Sequence, residues 1–264
     1  MAQTGRLTRA PALAAAASPV MLLRIALIAA VLLGWQALSA SGLLFRDVVP
    51  SLGAIAGALT RLLLDSGFYW HLGATGLEIS TALVIGGLSG LAVGLALGAN
   101  RLLGKAFEPY LYYLGPTPKI IFFPIMIMWF GVGPGSKVAM GVVSCFFPVA
   151  LSAAAGMRRI DRVLIQVGRS FRAGTWHMVS KIYLPAMREP VVNGIRLGFG
   201  VAVIGTLLAE TKLSNRGVGF LVINSYSTFD MPRMYALLIV VFVIAIGANA
   251  LIGRLGAATS TRQS

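Results

Sequence analysis

Six long apolar segments constrain this chain more than any other feature of its sequence. A helix that crosses a membrane needs about 20 mostly apolar residues, and each segment meets or approaches that length. Of the 264 residues, 57% are hydrophobic and 11% charged, whereas roughly a quarter of the residues in soluble domains are charged. The sequence therefore predicts an all-α, polytopic membrane protein with a single transmembrane domain over residues 1–264. The predicted spans are residues 22–40, 75–99, 109–130, 138–157, 191–209 and 234–252.

The distribution of Lys and Arg predicts which side of the membrane each connection faces. Six spans leave both termini on the same side, and cytoplasmic loops carry an excess of basic residues. If the N-terminus is cytoplasmic, most of the 22 Lys and Arg residues fall in cytoplasmic segments. We therefore expect both termini in the cytoplasm and the longest cytoplasmic loop at residues 158–190. Arginines before an apolar segment also occur in signal peptides, but this segment continues to about Ala40, which favours an uncleaved first span.

The sequence lacks the residue patterns of an enzyme, a metal site or a nucleic-acid-binding protein. The 22 basic residues outnumber the 8 acidic ones, but aromatic residues do not alternate with them as in RNA-binding proteins. We therefore expect the lipid bilayer and acidic partners rather than nucleic acid. The two histidines, His71 and His177, fall on opposite sides of the predicted membrane, and Cys145 is the single cysteine. No complete phosphate-binding loop occurs, so we expect no enzyme activity, metal or cofactor in this chain.

The patterns of two further segments predict where those segments lie. Small residues recur every three to four positions in "GGLSGLAVGLALGA", residues 86–99, and such residues let membrane helices approach closely. The segment "SLGAIAGALTRLLLDSG", residues 51–67, has helical periodicity and is too short to span a membrane. We expect it to lie along the membrane surface.

The loop at residues 158–190 is the most basic part of the chain, and its pattern predicts two short helices. Gly174 is expected to separate them, and Pro185 to end the second. Arg169 and Arg172 are three residues apart and share the helix face opposite the apolar residues of this segment. A set of apolar residues has helical spacing and is expected to pack against the membrane helices: Val163, Leu164, Val167 and Phe171. A second set is expected to form an apolar patch beside the arginines: Trp176, Met178 and Val179.

This loop resembles the cytoplasmic loop of ATP-binding cassette (ABC) importer permeases. Their signature is Glu-Ala-Ala, three residues, Gly, nine residues and Ile-x-Leu-Pro, and the chain has "IYLP" at residues 182–185. Counting back places residues 166–168 on Glu-Ala-Ala and Arg172 on the glycine. Gln166 therefore replaces the glutamate, and we expect the bend to move from Arg172 to Gly174.

Two other segments resemble permeases of nitrate, sulfonate and taurine importers. They are "GPTPKIIFFPIMIMWFGVGPGSKVA", residues 115–139, and "LLAETKLSNRGVGFLVINS", residues 207–225. The resemblance extends over about residues 70–253, which is most of the chain.

The resemblance implies a type I ABC importer permease in the inner membrane of a bacterium. Such a permease pairs with a second permease subunit, here expected to be a second copy, and with two cytoplasmic ATPase subunits that bind ATP and Mg²⁺. A periplasmic or lipid-anchored binding protein delivers the solute, here a small sulfonate, nitrate-like anion, taurine or related small organic acid or heterocycle. A stand-alone secondary transporter or channel is the alternative.

The resemblance also implies that the loop couples to the ATPase, whereas a basic loop that only fixes topology is the alternative reading. We expect Arg169, Arg172 and Trp176 to contact the ATPase. The full set of predicted coupling residues is Gln166, Gly168, Arg169, Ser170, Phe171, Arg172, Ala173, Gly174, Trp176, Leu184 and Pro185.

Four residues in or near the spans are candidates for the solute path or its gate: Lys119, Met126, Glu78 and Glu210. Lys119 lies between two prolines, where bending frees backbone carbonyls. It can line the path, bind those carbonyls or extend toward the cytoplasm. Glu78 and Glu210 fall near the outer ends of spans, where a solvated helix end is the simpler interpretation. Met126 belongs to an apolar stripe that is more typical of packing.

Overall fold

The fold of the chain is given by a computed structural model that describes residues 19–42 and 48–258. Residues 1–18 and 259–264 lie outside the described residues, and with them the predicted location of both termini. All regular secondary structure in the described part is helical, which confirms the all-α prediction. The helices are α1 (Pro19–Ala40), α2 (Leu52–Leu64), α3 (Ser66–Ala99), α4 (Arg101–Leu114), α5 (Phe123–Phe130), α6 (Pro134–Arg158), α7 (Arg162–Ser170), α8 (Thr175–His177), α9 (Leu184–Ala186), α10 (Arg188–Lys212), α11 (Val218–Ser227) and α12 (Met231–Ala258).

The chain divides into two compact units, residues 1–56 and 57–264. In the first unit, α1 has no buried residue. Its C-terminal half is tied to the chain that follows, because the Trp35 indole Nε1 donates to the Pro50 carbonyl at 3.0 Å. The Gln36 side-chain oxygen also accepts from the Leu52 amide at 3.1 Å. The single domain that the sequence predicts stays a prediction.

Five described helices are long and apolar enough to cross a membrane: α1, α3, α6, α10 and α12. The predicted third span, 109–130, is instead a pair of helices, α4 and α5, bent by 93° at the break between them. The break contains Pro116 and Pro118, which lack the amide hydrogens that a continuous helix requires. A 3₁₀ turn, Lys119–Phe122, follows the break. α3 begins nine residues before the predicted 75–99 because the Asp65 side chain caps it, accepting from the Gly67 amide at 2.9 Å.

Helices α3, α6 and α10 form the core of the second unit. Every fourth residue of α3 from Gly86 to Gly98 is a glycine against the α6 backbone. At Gly94, an added Cβ atom would lie 2.4 Å from the Ala150 carbonyl oxygen. Glycines of α10 have the same role, because a Cβ at Gly205 would lie 2.4 Å from the Ser144 hydroxyl. The close packing predicted from the small residues is confirmed.

The outer helices of the second unit pack around a separate apolar cluster. Helix α11 lies against the start of α12 and the start of α3 through Val218, Leu221, Leu237 and Phe68. Ala58 and Leu62, in the second half of α2, also belong to this cluster. The helix predicted at residues 51–67 is therefore present, and one side of its second half is buried.

Candidate functional site

The basic loop between α6 and α10 is held together by one close helix contact. Asp161 caps the start of α7, and its side chain accepts from the Val163 amide at 2.9 Å. It lies on a π-helical segment, Met178–Tyr183, that joins α8 to α9. Gly168 forms the contact, because a Cβ there would lie 2.3 Å from the Ile182 side chain. A residue with a larger side chain at position 168 would separate α7 from the rest of the loop.

The bend after α7 is made by Arg172, not by Gly174. Arg172 has a left-handed φ of 54°. Its amide donates to the Arg169 carbonyl at 2.9 Å, and the Ala173 amide donates to the Gly168 carbonyl at 3.0 Å. These two bonds are the Schellman arrangement that ends helices at a left-handed residue. Gly174 has a φ of −64° and an extended ψ before α8. The expected shift of the bend is therefore wrong, since Arg172 adopts the conformation for which the signature uses glycine.

The second helical part of the loop continues through Pro185. α8, the π segment and α9 form one run from Thr175 to Ala186. In the π segment, the Leu184 amide donates five residues back, to the Val179 carbonyl. Widened turns of this kind occur within helices next to residues that interrupt the regular backbone hydrogen bonds of the α-helix. The run ends at Met187, with φ of −106°, so the expectation that Pro185 ends it is wrong.

Most apolar side chains of the first half of the loop are exposed, apart from Ile165. Phe171 is 82% exposed and Trp176 is 76% exposed. Val163, Leu164 and Val167 are exposed as well, so the expectation that this set packs against the spans is wrong. Inward packing comes instead from Met178, which is buried and so does not belong to the predicted patch. We call the exposed apolar surface formed by Val163, Leu164, Val167, Phe171 and Trp176 the loop face.

The remaining predicted coupling residues lie elsewhere in the loop. Arg169, Arg172 and Gly174 are exposed, and Gln166 and Ser170 are exposed one turn apart on α7. The Ser170 hydroxyl donates to the Gln166 carbonyl at 3.0 Å. In the remainder of the set, Ala173 and Leu184 are half-buried and Pro185 is exposed. The loop therefore presents a large exposed apolar surface and, elsewhere in the same segment, exposed arginines.

The loop is joined rigidly to the core. Met187, between α9 and α10, is fully buried. It packs against Ala153 and Met157 of α6 and against Ile160, with Ile165 of α7 at the edge. An ion pair lies at the C-terminal end of α6. There, both terminal guanidinium nitrogens of Arg158 donate to the carboxylate of Glu108 on α4. A displacement of the loop would therefore move α6 and α10 with it.

A buried polar cluster lies at the opposite end of α6. The Thr75 hydroxyl of α3 donates to the Glu210 carboxylate of α10 at 2.7 Å. Glu210 also accepts from the Gly219 amide at 2.6 Å, in the first turn of α11. The Val218 amide donates to the Thr75 hydroxyl at 2.7 Å, and the Gly217 amide donates to His71 Nδ1 at 3.1 Å. One carboxylate and two α3 side chains thus hold the start of α11.

Gly217 allows the carboxylate to reach these amides. It has a left-handed φ of 102°, a conformation that side chains disfavour. A Cβ atom at this position would also lie 2.3 Å from the Glu210 carboxyl carbon. Both the backbone conformation and the space require glycine here.

Glu78 and Glu210 are not at solvated helix ends, because they are 3% and 1% exposed. Lys137 of α6, 1% exposed, has its ammonium group close enough to both carboxylates to interact electrostatically. The same group donates to the Val132 and Gly133 carbonyls after α5. Two buried oxygens have no hydrogen-bond partner within the described part, Glu78 Oε2 and the Thr206 hydroxyl.

Lys119 and Met126 lie apart from this cluster. The Lys119 ammonium donates to the Gly115 carbonyl, which the break after α4 leaves free of a helical partner, and lies 5.2 Å from the centre of the Phe147 ring. This matches the carbonyl-binding alternative for Lys119. Met126 packs in a small cluster with Phe123 and Met140.

The sequence interpretation missed several members of the polar cluster. Lys137 and Gly217 lie within the two segments that resemble importer permeases, so their motifs offered a signal. His71 and Thr75 are ordinary residues of an apolar helix, and no local pattern marks them. The structure also places no group of three or more metal-ligating side chains together within residues 19–42 and 48–258.

Comparison with known families agrees with this architecture. Residues 83–261 match the family described as "Binding-protein-dependent transport system inner membrane component". The chain belongs to this family. It is a permease component of an ABC transport system, and its fold is that of type I ABC importer permeases.

Individual relatives are similar over most of their length. The permease is 29% identical to the taurine transport system permease protein TauC of Escherichia coli over 214 residues, which are 80% of this chain and 77% of the relative. It is 28% identical to the putative aliphatic sulfonates transport permease protein SsuC of Bacillus subtilis, with coverage of 80% and 76%. Identity to the nitrate import permease protein NrtB of Leptolyngbya laminosa is 21%, with coverage of 72% and 68%.

Proposed function

We propose that this permease forms the solute path of an ATP-driven importer and that the loop face is its docking surface for a cytoplasmic ATPase subunit. The exposed loop face carries this proposal. Exposed apolar patches bordered by polar groups mark protein interaction sites. A helix that presents an apolar face to a groove is a recurring mode of recognition, and the exposed Arg169 and Arg172 add positive charge to the same loop.

Motion of the ATPase would reach the spans through the rigid contacts of the loop. α7 is fixed to the π segment at Gly168, and Met187 joins that segment to α6 and α10. When ATP and Mg²⁺ bound to the partner subunits bring those subunits together, the loops move with them. The packed α6 and α10 then change their tilt as a unit, which exposes the solute path to the other side. The ATP chemistry belongs to the partner, and this chain supplies the mechanical connection.

The remaining parts of the proposal follow the relatives. The permease pairs with a second copy of itself, both termini are cytoplasmic, and a periplasmic or lipid-anchored binding protein delivers the solute. The solute is a small sulfonate or a related small anion, because the names of the relatives specify taurine, aliphatic sulfonates and nitrate. The buried cluster around Glu210 holds the start of α11 in place. Lys119 stabilises the break between α4 and α5.

Substitution of Phe171 tests the docking surface. Because Phe171 is 82% exposed, Phe171→Ala removes apolar contact area without disturbing the fold. We expect association with the partner ATPase to weaken about 10-fold or more, as for a central interface aromatic. The control is Tyr113→Ala, which removes an aromatic residue that is 81% exposed on α4. Affinity is measured with purified permease in lipid nanodiscs.

Transport in proteoliposomes tests the function itself. Uptake of taurine or an alkanesulfonate should require the permease, the ATPase, ATP and the binding protein together. Uptake that persists without any ATPase would instead identify a secondary transporter or channel. Unchanged ATPase affinity in both Phe171→Ala and Trp176→Ala would contradict the assignment of the loop face.

A further inference from the structure

Two buried carboxyl groups, Glu78 on α3 and Glu210 on α10, lie within hydrogen-bonding reach of each other. We call them the carboxyl pair. Two ionised carboxylates in contact repel each other, and a buried position offers little water to screen their charges. A hydrogen bond between them requires a proton on one member, because an ionised carboxylate has no donor. The contact therefore favours a pair that shares one proton.

The surrounding hydrogen bonds indicate which residue carries that proton. Glu210 Oε1 accepts from the Thr75 hydroxyl at 2.7 Å, and Glu210 Oε2 accepts from the Gly219 amide at 2.6 Å. Donors to both oxygens stabilise an ionised carboxylate. Glu78 Oε2, in contrast, has no hydrogen-bond partner among the described residues, and a buried charge without donors is costly. The geometry therefore makes Glu78 the neutral acid and Glu210 the ionised acceptor.

Close packing lies one helical turn from the carboxyl pair. Ala82 is four residues after Glu78 on α3, and Thr206 is four residues before Glu210 on α10. An added Cβ at Gly141 of α6 would lie 2.6 Å from the Ala82 Cβ and 2.5 Å from the Thr206 hydroxyl. The three core helices thus meet tightly at this level, which limits the access of water to the pair from that side.

The charged groups around the pair are consistent with a single negative charge on it. Lys137 of α6 and Arg216, in the segment before α11, interact with the pair electrostatically. Neither forms a direct ion pair with it in the described part of the chain. His71 of α3 accepts from the Gly217 amide beside the pair. Lys137 is buried and balances one negative charge, whereas Arg216 is half-buried and in contact with solvent.

We propose that the carboxyl pair is a buried proton-binding site, in which protonated Glu78 donates to ionised Glu210 at neutral pH and so holds the start of α11. Loss of the proton would place a second charge beside an oxygen without donors. The cluster would then have to admit water, which competes for the Gly219 amide that Glu210 binds. The position of α11 is thereby linked to pH. This site does not depend on the ATPase docking proposed above, and it is tested without the other subunits.

Proton release on unfolding provides the test. In the unfolded chain both carboxyl groups are exposed to water and ionised at neutral pH. Unfolding should therefore release one proton from the pair, and this site should raise the unfolding equilibrium constant about 10-fold per pH unit. Glu78→Gln keeps the size of the side chain and a hydrogen-bond donor for Glu210, but it does not titrate. We expect the variant to lose this part of the pH dependence.

The measurement is reversible unfolding of the purified permease in mixed detergent micelles between about pH 6 and pH 8, around the neutral range. Because wild type and Glu78→Gln are compared, the titration of other groups, His71 included, cancels. The matched control is Glu189→Gln, which changes an exposed glutamate of α10 and should retain the wild-type pH dependence. Glu210→Gln should raise the unfolding equilibrium constant about 10-fold or more throughout this range, because glutamine has only one oxygen to accept from Thr75 and Gly219.

Infrared spectroscopy gives a second measurement, which does not require unfolding. In detergent without ester groups, wild type and Glu189→Gln should show the carbonyl absorption of a protonated carboxylic acid at neutral pH, and Glu78→Gln should lack it. Absence of this absorption in wild type would overturn the proposal even if the variants failed to fold. The same pH dependence of unfolding in wild type and Glu78→Gln would also overturn it, since an ionised Glu78 that binds a buried water gives that result. So would a Glu78→Gln variant that is destabilised while Glu210→Gln is not, because the proton would then lie on Glu210.

Discussion

The left-handed conformation of Arg172 leads to a prediction that can be measured within the loop. An L-residue in this conformation costs roughly 1–2 kcal/mol relative to glycine. Glycine at the same position loses roughly 0.4–1 kcal/mol through the greater freedom of the unfolded chain. Arg172→Gly should therefore stabilise the closed turn by about 0.5–1 kcal/mol. This corresponds to roughly a 2- to 5-fold change in the opening equilibrium.

Hydrogen exchange of the Ala173 amide reports on this turn, because that amide donates to the Gly168 carbonyl at 3.0 Å. We expect Arg172→Gly to slow exchange in the segment that contains Ala173 by about 2- to 5-fold. Mass spectrometry of peptides from the permease alone, in lipid nanodiscs, provides the measurement. ATPase affinity should nevertheless fall in the same variant, because a positive charge is lost from the docking loop.

Gly174→Ala is the matched control for this experiment. Gly174 has a φ of −64°, and a Cβ there would meet no atom within 4 Å. Exchange at Ala173 should therefore stay within about 2-fold of wild type. The reasoning is refuted if Gly174→Ala accelerates exchange while Arg172→Gly leaves it unchanged or faster, because the bend would then depend on Gly174.

Two further predictions concern the buried polar cluster. Gly217→Ala should lower the free energy of unfolding by at least about 2 kcal/mol, because it combines a disfavoured φ with a Cβ contact at 2.3 Å. Thermal denaturation checks this against Gly73→Ala, where a Cβ has open space, and equal melting temperatures would contradict it. Lys137→Met should lower the free energy of unfolding by roughly 1.5–3 kcal/mol, because it removes the hydrogen bonds that the ammonium group donates to the Val132 and Gly133 carbonyls. The same assay applies, and a variant as stable as wild type would show that these bonds do not stabilise the fold.

Much of the fold follows from local patterns. The six apolar segments all contain helices, and the glycines of residues 86–99 pack where their spacing predicts. The break in the third span follows from prolines that the sequence places there. The start of α3 was harder to predict, because residues 66–74 are less apolar and only the cap at Asp65 extends the helix to them.

The candidate site was only partly predictable. The spacing to "IYLP" located the loop, but helical periodicity alone could not tell which face of α7 would be buried. The face of α7 that contains Gly168 is buried, because the lack of a side chain there lets Ile182 and Met178 pack against the helix. The apolar side chains at other positions were then left exposed. Similarly, the acidic residues near span ends gave no sign that they would be buried near a buried lysine.

The sequence by itself determined the membrane-spanning helices, the small-residue contacts and the position of the loop. These depend on transfer of apolar segments into lipid and on hydrogen bonds within a helix, both of which are local properties of the chain. The tertiary structure decided the conformation of Arg172, the exposed loop face and the burial of Glu210. Glu210 shows the reason most clearly, because its partner Thr75 is 135 residues away. Only the folded chain brings such residues together, and a buried polar group is stable only where such partners meet it.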